Sequence, residues 1–436
     1  MDPCPATPHG PGKAKAYGIM TFKKTKKRVL TRRGVMWLGQ TCNQRCYFCY
    51  FARRIADVNH PEHDFMGIDK AKAICRTLRE FYRNTSIDIQ GGEPTIYGDI
   101  LELIRYCREI GLYPTLITNG LVLGRPGVLE KYQEAGIRDF LVSLHGIGEV
   151  HDEVVGHAGA YGKILPAIER MRELDIPFRF NCTMSKPVVP VIPQIARKAV
   201  EYGAYAVNYI AFNPFGDQDQ GIRTRENVPR YGNIKRQLPE ALDLLEEAGI
   251  EANVRYLPLC MAEPRHRKNF YNYQQLPFDT HEWDYESWFW TMKPPEMMNA
   301  GGLMPTFRLG YGFRRVHKLD GVAVRRMYDA HPLWIGLKFK AQHVFAGIQR
   351  LIRGREALLV EQGRLAALID CRYRYNDACA KCRVQPICDG FHGDYADLFG
   401  TEEAIAVTDV PLTHDPKQFI CDQEKTVEPD DEAWAM

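Results

Sequence analysis

Two hydrophobic periods alternate along the first half of the chain. Short apolar runs are each followed by a stretch with apolar residues three or four apart. The run Val35 to Gly39 leads to Ile68–Tyr82, apolar near positions 68, 71, 74, 78 and 81–82, which predicts a helix. The same alternation predicts strands at Ser86–Gln90, Pro114–Thr118, Asp139–Leu144, Phe178–Thr183 and Ala206–Phe212. Between them it predicts helices at Ile96–Ile110, Val128–Ala135, Tyr161–Leu174 and Val191–Tyr202. Strands alternating with helices imply an α/β fold whose parallel strands are joined by helical crossovers. Polar and glycine punctuation falls at the carboxyl ends of the strands: Gly91-Gly92-Glu93-Pro94-Thr95, Asn119-Gly120, His145-Gly146 and Asn213-Pro214. That edge is where sites form in parallel sheets and barrels.

Pro229–Ala248 predicts a further helix and Glu251–Pro258 a strand, with Cys260 just beyond it. The pattern then breaks. Residues 264–335 have little periodicity and are crowded with aromatics, Trp283, Tyr285, Trp288, Phe289 and Trp290 among them. Basic amphipathic helices are expected near Leu333–Arg353 and Ala357–Ile369. The expected organisation is a flexible basic arm over 1–30, a core over 31–250, a small second domain over 251–400 with an insertion near 264–370, and a tail over 401–436.

Charge and composition narrow the function classes. The net charge of +3 is too mild to argue for nucleic acid. The basic stretch from Lys23 through Lys24, Lys26, Lys27, Arg28 and Arg32 to Arg33 reads as a solvated face or arm. No apolar run approaches the ~18–20 residues that cross a bilayer. An amphipathic segment such as Leu333–Lys340 can lie on a membrane surface, but ordinary surface helices share its pattern. The 13 cysteines come without an export signal, so a cytoplasmic protein with metal-binding or redox cysteines is expected rather than a disulfide framework.

Chemistry concentrates in two cysteine groups. Cys42, Cys46 and Cys49 form a CxxxCxxC triplet just after the first apolar run. Three thiolates on one loop can hold three corners of a [4Fe–4S] cube and leave one iron open. Zinc, or three unrelated cysteines, are the other readings. Cys379, Cys382 and Cys388 form a CxxCx5C group near the end of the chain, for which zinc is again the alternative.

The triplet followed by Gly91-Gly92-Glu93-Pro94 resembles the radical SAM superfamily, over residues 35 to about 215. The resemblance implies a partial (β/α)6 barrel. It implies that Cys42, Cys46 and Cys49 ligate a [4Fe–4S] cluster and that S-adenosylmethionine chelates the open iron. Electron transfer then yields a 5′-deoxyadenosyl radical that abstracts hydrogen from a substrate. Phe48 matches the aromatic beside the adenine, and packing in the core is its equal alternative. Gly91, Gly92, Glu93 and Pro94 match the segment that holds the methionine amino group; glycine admits close approach and a carboxylate suits an ammonium. Asn119, Ser143 and Asn181, at strand ends, resemble contacts to ribose and carboxylate, with strand-end capping as the alternative. His145 stands where many relatives carry Asp.

The CxxCx5C group resembles the SPASM/twitch extension of that superfamily. His392 replaces the next cysteine of the full pattern, which points to a twitch-like domain with one auxiliary [4Fe–4S] cluster. Cys260 is the expected fourth ligand, with Cys371 and Cys421 as competitors. The insertion is read as a cap that shapes the substrate pocket, or equally as a packing surface. The resemblance implies an external reductant such as flavodoxin or ferredoxin. A small polar metabolite, nucleotide- or sugar-like, is the expected substrate. A peptide precursor, a lipid, and a zinc-binding protein without catalysis are the alternatives.

Overall fold

The computed structural model describes residues 23–26, 31–49, 52, 64–80, 84–212, 223–284 and 371–427, with scattered positions over 333–368. The strands are β1 (Lys23–Thr25), β2 (Thr31–Trp37), β3 (Ser86–Gln90), β4 (Tyr113–Thr118), β5 (Asp139–Ser143), β6 (Phe178–Met184), β7 (Ala206–Ala211), β8 (Glu251–Arg255), β9 (Phe270–Tyr271), β10 (Thr280–Asp284) and β11 (Lys425–Val427). Among the described residues the main sheet has nine strands in the order β10-β2-β3-β4-β5-β6-β7-β8-β9. Every pair in it is parallel.

Helices α1 (Ile68–Glu80), α2 (Ile100–Glu109), α3 (Val128–Ala135), α4 (Glu149–Val155), α5 (Ala160–Glu173), α6 (Ile192–Tyr202) and α7 (Tyr231–Glu247) connect the strands. A last short helix, α8, spans Gly393–Phe399. Crossover helices cover the sheet, so strand residues are apolar almost throughout: Ile87, Ile89, Leu116, Phe140, Val142, Phe180, Val207 and Val254 are buried. Helix α6 shows how local sequence sets an element. Pro193 sits in its first turn, where no amide hydrogen is needed. Its Ile195, Ala196, Ala199 and Tyr202 then fall on the buried side.

The sheet is curled. Its edge strands β9 and β10 are only nine residues apart in sequence (271 to 280) yet stand at opposite ends of the strand order. Lys425 Nζ joins the two sides, 2.5 Å from Glu251 on β8 and 2.8 Å from Asp279 just before β10.

Several expectations need correction here. The boundary expected near 250 falls inside the sheet, because β8, β9 and β10 extend it on both edges. The arm and tail are joined, since β1 pairs antiparallel with β11. Arg33 is no solvated cation: it is buried on β2 and faces Asp88 at 3.4 Å. The helix expected over Ile96–Ile110 is a turn at Pro94–Ile96 and then α2, with Gly98, a poor helix former, between them. Helix α4 was not legible as a separate element. The aromatics Tyr285, Trp288, Phe289 and Trp290, and Cys4, lie outside the described residues.

Candidate active site

The cysteine loop follows β2 and sits at the carboxyl edge of the sheet, held from three sides. The amide of Glu93 donates to the Thr41 carbonyl at 2.9 Å. Asn119 Nδ2, after β4, donates to Asn43 Oδ1 at 2.7 Å. The end of α4 closes the third side, with the Arg45 amide donating to Val155 O at 3.0 Å. His157 Nδ1 stands 3.3 Å from Asn43 O. Gly92 has φ +54, and a Cβ there would lie 2.0 Å from the Thr41 oxygen. Only glycine permits that approach.

The three thiols are partly shielded, and they feel one another. Burial raises the Cys46 thiol well above its ordinary pKa, and Cys49 and Cys42 add to the rise. Burial also raises Cys42, whose sulfur accepts from the Gln44 amide at 3.4 Å. Crowded thiols that cost free energy to ionise together suit a cationic group that binds them as thiolates. Three sulfurs on one loop, with no fourth cysteine beside them, fit three irons of a four-iron cube. Among the described residues no three His, Cys, Asp or Glu converge tightly enough for a single metal ion.

Glu93 is 1% exposed, and both carboxylate oxygens already have partners. Oε1 accepts from the Thr95 amide at 3.0 Å, from the Thr95 hydroxyl at 2.5 Å and from Thr118 Oγ1 at 2.6 Å. Oε2 accepts from the Asn119 amide at 2.7 Å. Burial raises its pKa, and these hydrogen bonds oppose the rise. Glu93 therefore clasps the end of β3 to the end of β4. Pro94 begins the turn after it. Asn119 is likewise engaged, since its Oδ1 accepts from the Leu121 amide at 3.1 Å.

Phe48 packs edge-on against His145, with ring centroids 4.6 Å apart, and against Phe212 at 6.2 Å. His145 is buried. Its Nδ1 accepts from the Thr183 amide at 3.0 Å, and its own amide donates to His151 Nδ1 at 3.1 Å. Burial lowers its pKa to about 3, so the ring is neutral. Ser143 and Asn181 are register partners on β5 and β6. The row continues through Asn208 on β7 and Asn253 on β8, where Asn253 Nδ2 donates to Asn208 Oδ1 at 3.1 Å. Asn208 and Asn253 escaped the sequence analysis, although a polar residue inside an apolar strand was the available signal.

The distal cysteines also gather. Cys260 lies in the turn Leu259–Met261 after β8. Burial raises its thiol, and Cys379 and Cys382 contribute to the rise. Cys388 is raised by burial and then by Cys260. Backbone amides point at these sulfurs: Asn376 to Cys379 and Val407 to Cys382, each at 3.4 Å. Ile405 supplies one to Cys260 and Leu259 one to Cys388. Amides aimed at sulfur stabilise thiolate and tune an iron–sulfur cluster. Asp389 anchors this loop, accepting from the Tyr273 amide at 2.6 Å and from Gln274 Nε2 at 3.0 Å. Cys371 packs with Ala367 and Tyr373, and Cys421 is exposed in the turn Ile420–Asp422. His392 Nδ1 accepts from the Asp394 amide at 3.2 Å at the start of α8.

The chain matches, over residues 38–193, the family described as the Radical SAM superfamily. It is 33% identical over 188 residues to the AdoMet-dependent heme synthase of Methanosarcina barkeri, covering 43% of this chain and 52% of that protein. It is 34% identical over 132 residues to the PqqA peptide cyclase of Rhodopseudomonas palustris, covering 30% of this chain and 35% of that one. The chain thus spans about half, or less, of the length of these curated relatives. The crystal structure of Streptococcus suis SuiB bound to S-adenosylmethionine aligns with a TM-score of 0.45 at 17% identity, over 59% of each chain.

Proposed function

We propose that this chain is a radical SAM enzyme with two iron–sulfur clusters that acts on a small polar metabolite. Cys42, Cys46 and Cys49 hold the first cluster, and Cys260, Cys379, Cys382 and Cys388 the second. The observation that carries the reading is the clasp between the cysteine loop and the Gly91–Pro94 turn, which makes two distant motifs one surface. When bound, the first cluster supplies the electron that cleaves S-adenosylmethionine to methionine and a hydrogen-abstracting 5′-deoxyadenosyl radical.

The chain's own residues then bind and orient. The Gly91-Gly92 backbone borders the methionine end, and Phe48 offers a flat apolar face to the adenine. Asn119 and Glu93 fix the loop on the strand ends rather than reaching freely toward a ligand. Ser143, Asn181 and Asn208 line up across adjacent strands as hydrogen-bonding groups for a polar substrate. The name of the heme synthase relative supports a small molecule. The name of the peptide cyclase relative favours the second reading, a peptide substrate.

Anaerobic reconstitution tests this directly. Two four-iron clusters give about eight irons per chain, and reduction with dithionite yields 5′-deoxyadenosine from S-adenosylmethionine. About four irons with intact cleavage removes the second cluster. No iron and no cleavage removes the whole reading.

A further inference from the structure

Ser143, Asn181, Asn208 and Asn253 are register partners on β5, β6, β7 and β8 and form one level of the sheet. Each alternates along its strand with a residue packed in the hydrophobic core: Val142, Phe180, Val207 and Val254. Neighbouring strand residues point to opposite faces, so the four polar side chains share the inside of the curled sheet. Two of them form a pair whose amides have one possible orientation.

Asn253 fixes the pair. Lys425 Nζ stands 2.9 Å from one atom of its amide and can only donate, so that atom is Oδ1. Glu251 Oε1 stands 2.7 Å from the other atom. It belongs to a carboxylate paired with Lys425 and can only accept, so that atom is Nδ2. The second hydrogen of Nδ2 goes to Asn208, 3.1 Å away, which must turn its Oδ1 toward it. Asn208 therefore keeps its own NH2 group on the inner face. The residue is only 5% exposed, and among the described residues none accepts from that group. A buried donor costs free energy until an acceptor reaches it, so a molecule entering the sheet gains by bringing one.

Charge narrows the acceptor. The four residues of this level are neutral. Among the described residues beside them, Lys425 and Arg255 are matched by Glu251 and Asp279. An amide donor in balanced surroundings suits an uncharged carbonyl oxygen, whereas carboxylates and phosphates are bound best by cations. We propose that Asn208 is a specificity-determining residue that donates to a carbonyl oxygen of the substrate. The proposal rests on the reading that the inner face of the sheet is the substrate side of a radical SAM enzyme.

Titration of the full reconstituted chain, carrying isotopically labelled asparagine, tests it by nuclear magnetic resonance. N,N-dimethylacetamide only accepts hydrogen bonds, and it is expected to shift the Asn208 side-chain amide signal with saturation. Methylammonium only donates and leaves that signal in place. The signal is identified by its loss in Asn208→Asp. This variant is isosteric and still accepts from Asn253, so it folds, but it turns an oxygen inward in place of the NH2 group. Read from the Asn253 signal in both proteins, it binds N,N-dimethylacetamide at least about fivefold more weakly and responds to methylammonium. No saturable shift in the wild type, equal affinity in the variant, or tighter binding of acetate than of N,N-dimethylacetamide overturns the proposal. Formation of 5′-deoxyadenosine by the same preparation tests the underlying reading. Cleavage without an Asn208 response removes this inference alone, and the absence of both removes both.

Discussion

The amide of Glu93 and the carbonyl of Thr41 are joined at 2.9 Å, fifty-two residues apart in sequence. This contact holds the cysteine loop against the glycine turn, and Gly92 allows it. Gly92→Ala is therefore expected to separate them. Alanine at a left-handed φ costs about 1–2 kcal/mol, and its Cβ cannot remain 2.0 Å from the Thr41 oxygen. The expected outcome is a Tm lowered by several degrees and 5′-deoxyadenosine formation lowered at least about tenfold. Unchanged turnover with a displaced Tm would show that the clasp serves stability alone.

Cysteine substitutions separate the two proposed clusters. Alanine at Cys42, Cys46 or Cys49 is expected to remove about four of about eight irons and to abolish S-adenosylmethionine cleavage. Cys260→Ala is expected to lower the remaining iron or alter its EPR signal while cleavage continues. Cys371→Ala and Cys421→Ala leave both intact. Loss of iron in Cys371→Ala, with none in Cys260→Ala, reverses the ligand assignment.

Glu93→Gln distinguishes a clasp from a ligand contact. The carboxylate accepts four hydrogen bonds inside the protein, and an amide nitrogen cannot accept in place of either oxygen. The expected cost is about 1–3 kcal/mol in urea unfolding of the apoprotein. If stability holds and only S-adenosylmethionine affinity falls, the residue acts on the ligand instead.

Two buried histidines make stability depend on pH. Burial lowers His145 to about 3 and His151 to about 4, against about 6.5 in the unfolded chain. Between these limits the unfolded state binds protons that the folded state refuses, so stability rises with pH. Their contribution is complete above about pH 6.5 and is lost as pH falls through the folded values. Together they are expected to remove roughly 3 kcal/mol between pH 6.5 and 5, read from urea midpoints of the apoprotein. His151→Asn should take away about half of that slope. A midpoint that does not move over this range would show that neither histidine is held neutral by the fold.

Much of the fold was legible because parallel strands and crossover helices write two clear periods. Val128–Ala135 is predicted and observed with the same ends, and Ala206–Phe212 differs by one residue. The α4 helix was missed because its seven residues are too few to show a period. The edge strands β9 and β10 were missed because two to five residues beside aromatic-rich sequence carry no alternation to read.

Sequence by itself determined which chemistry is available: a thiol triplet, a glycine turn at a strand end, and a second set of cysteines whose spacing suits metal. Spacing along the chain fixes such local sets because their members share one loop. Tertiary structure alone decided what those sets touch. It brought Cys260 near Cys379 and Cys382, and it turned Glu93 inward as a clasp. It also buried Arg33 opposite Asp88. These outcomes follow from how the sheet curls and which polar groups must be paired once water is excluded. No local pattern encodes that geometry.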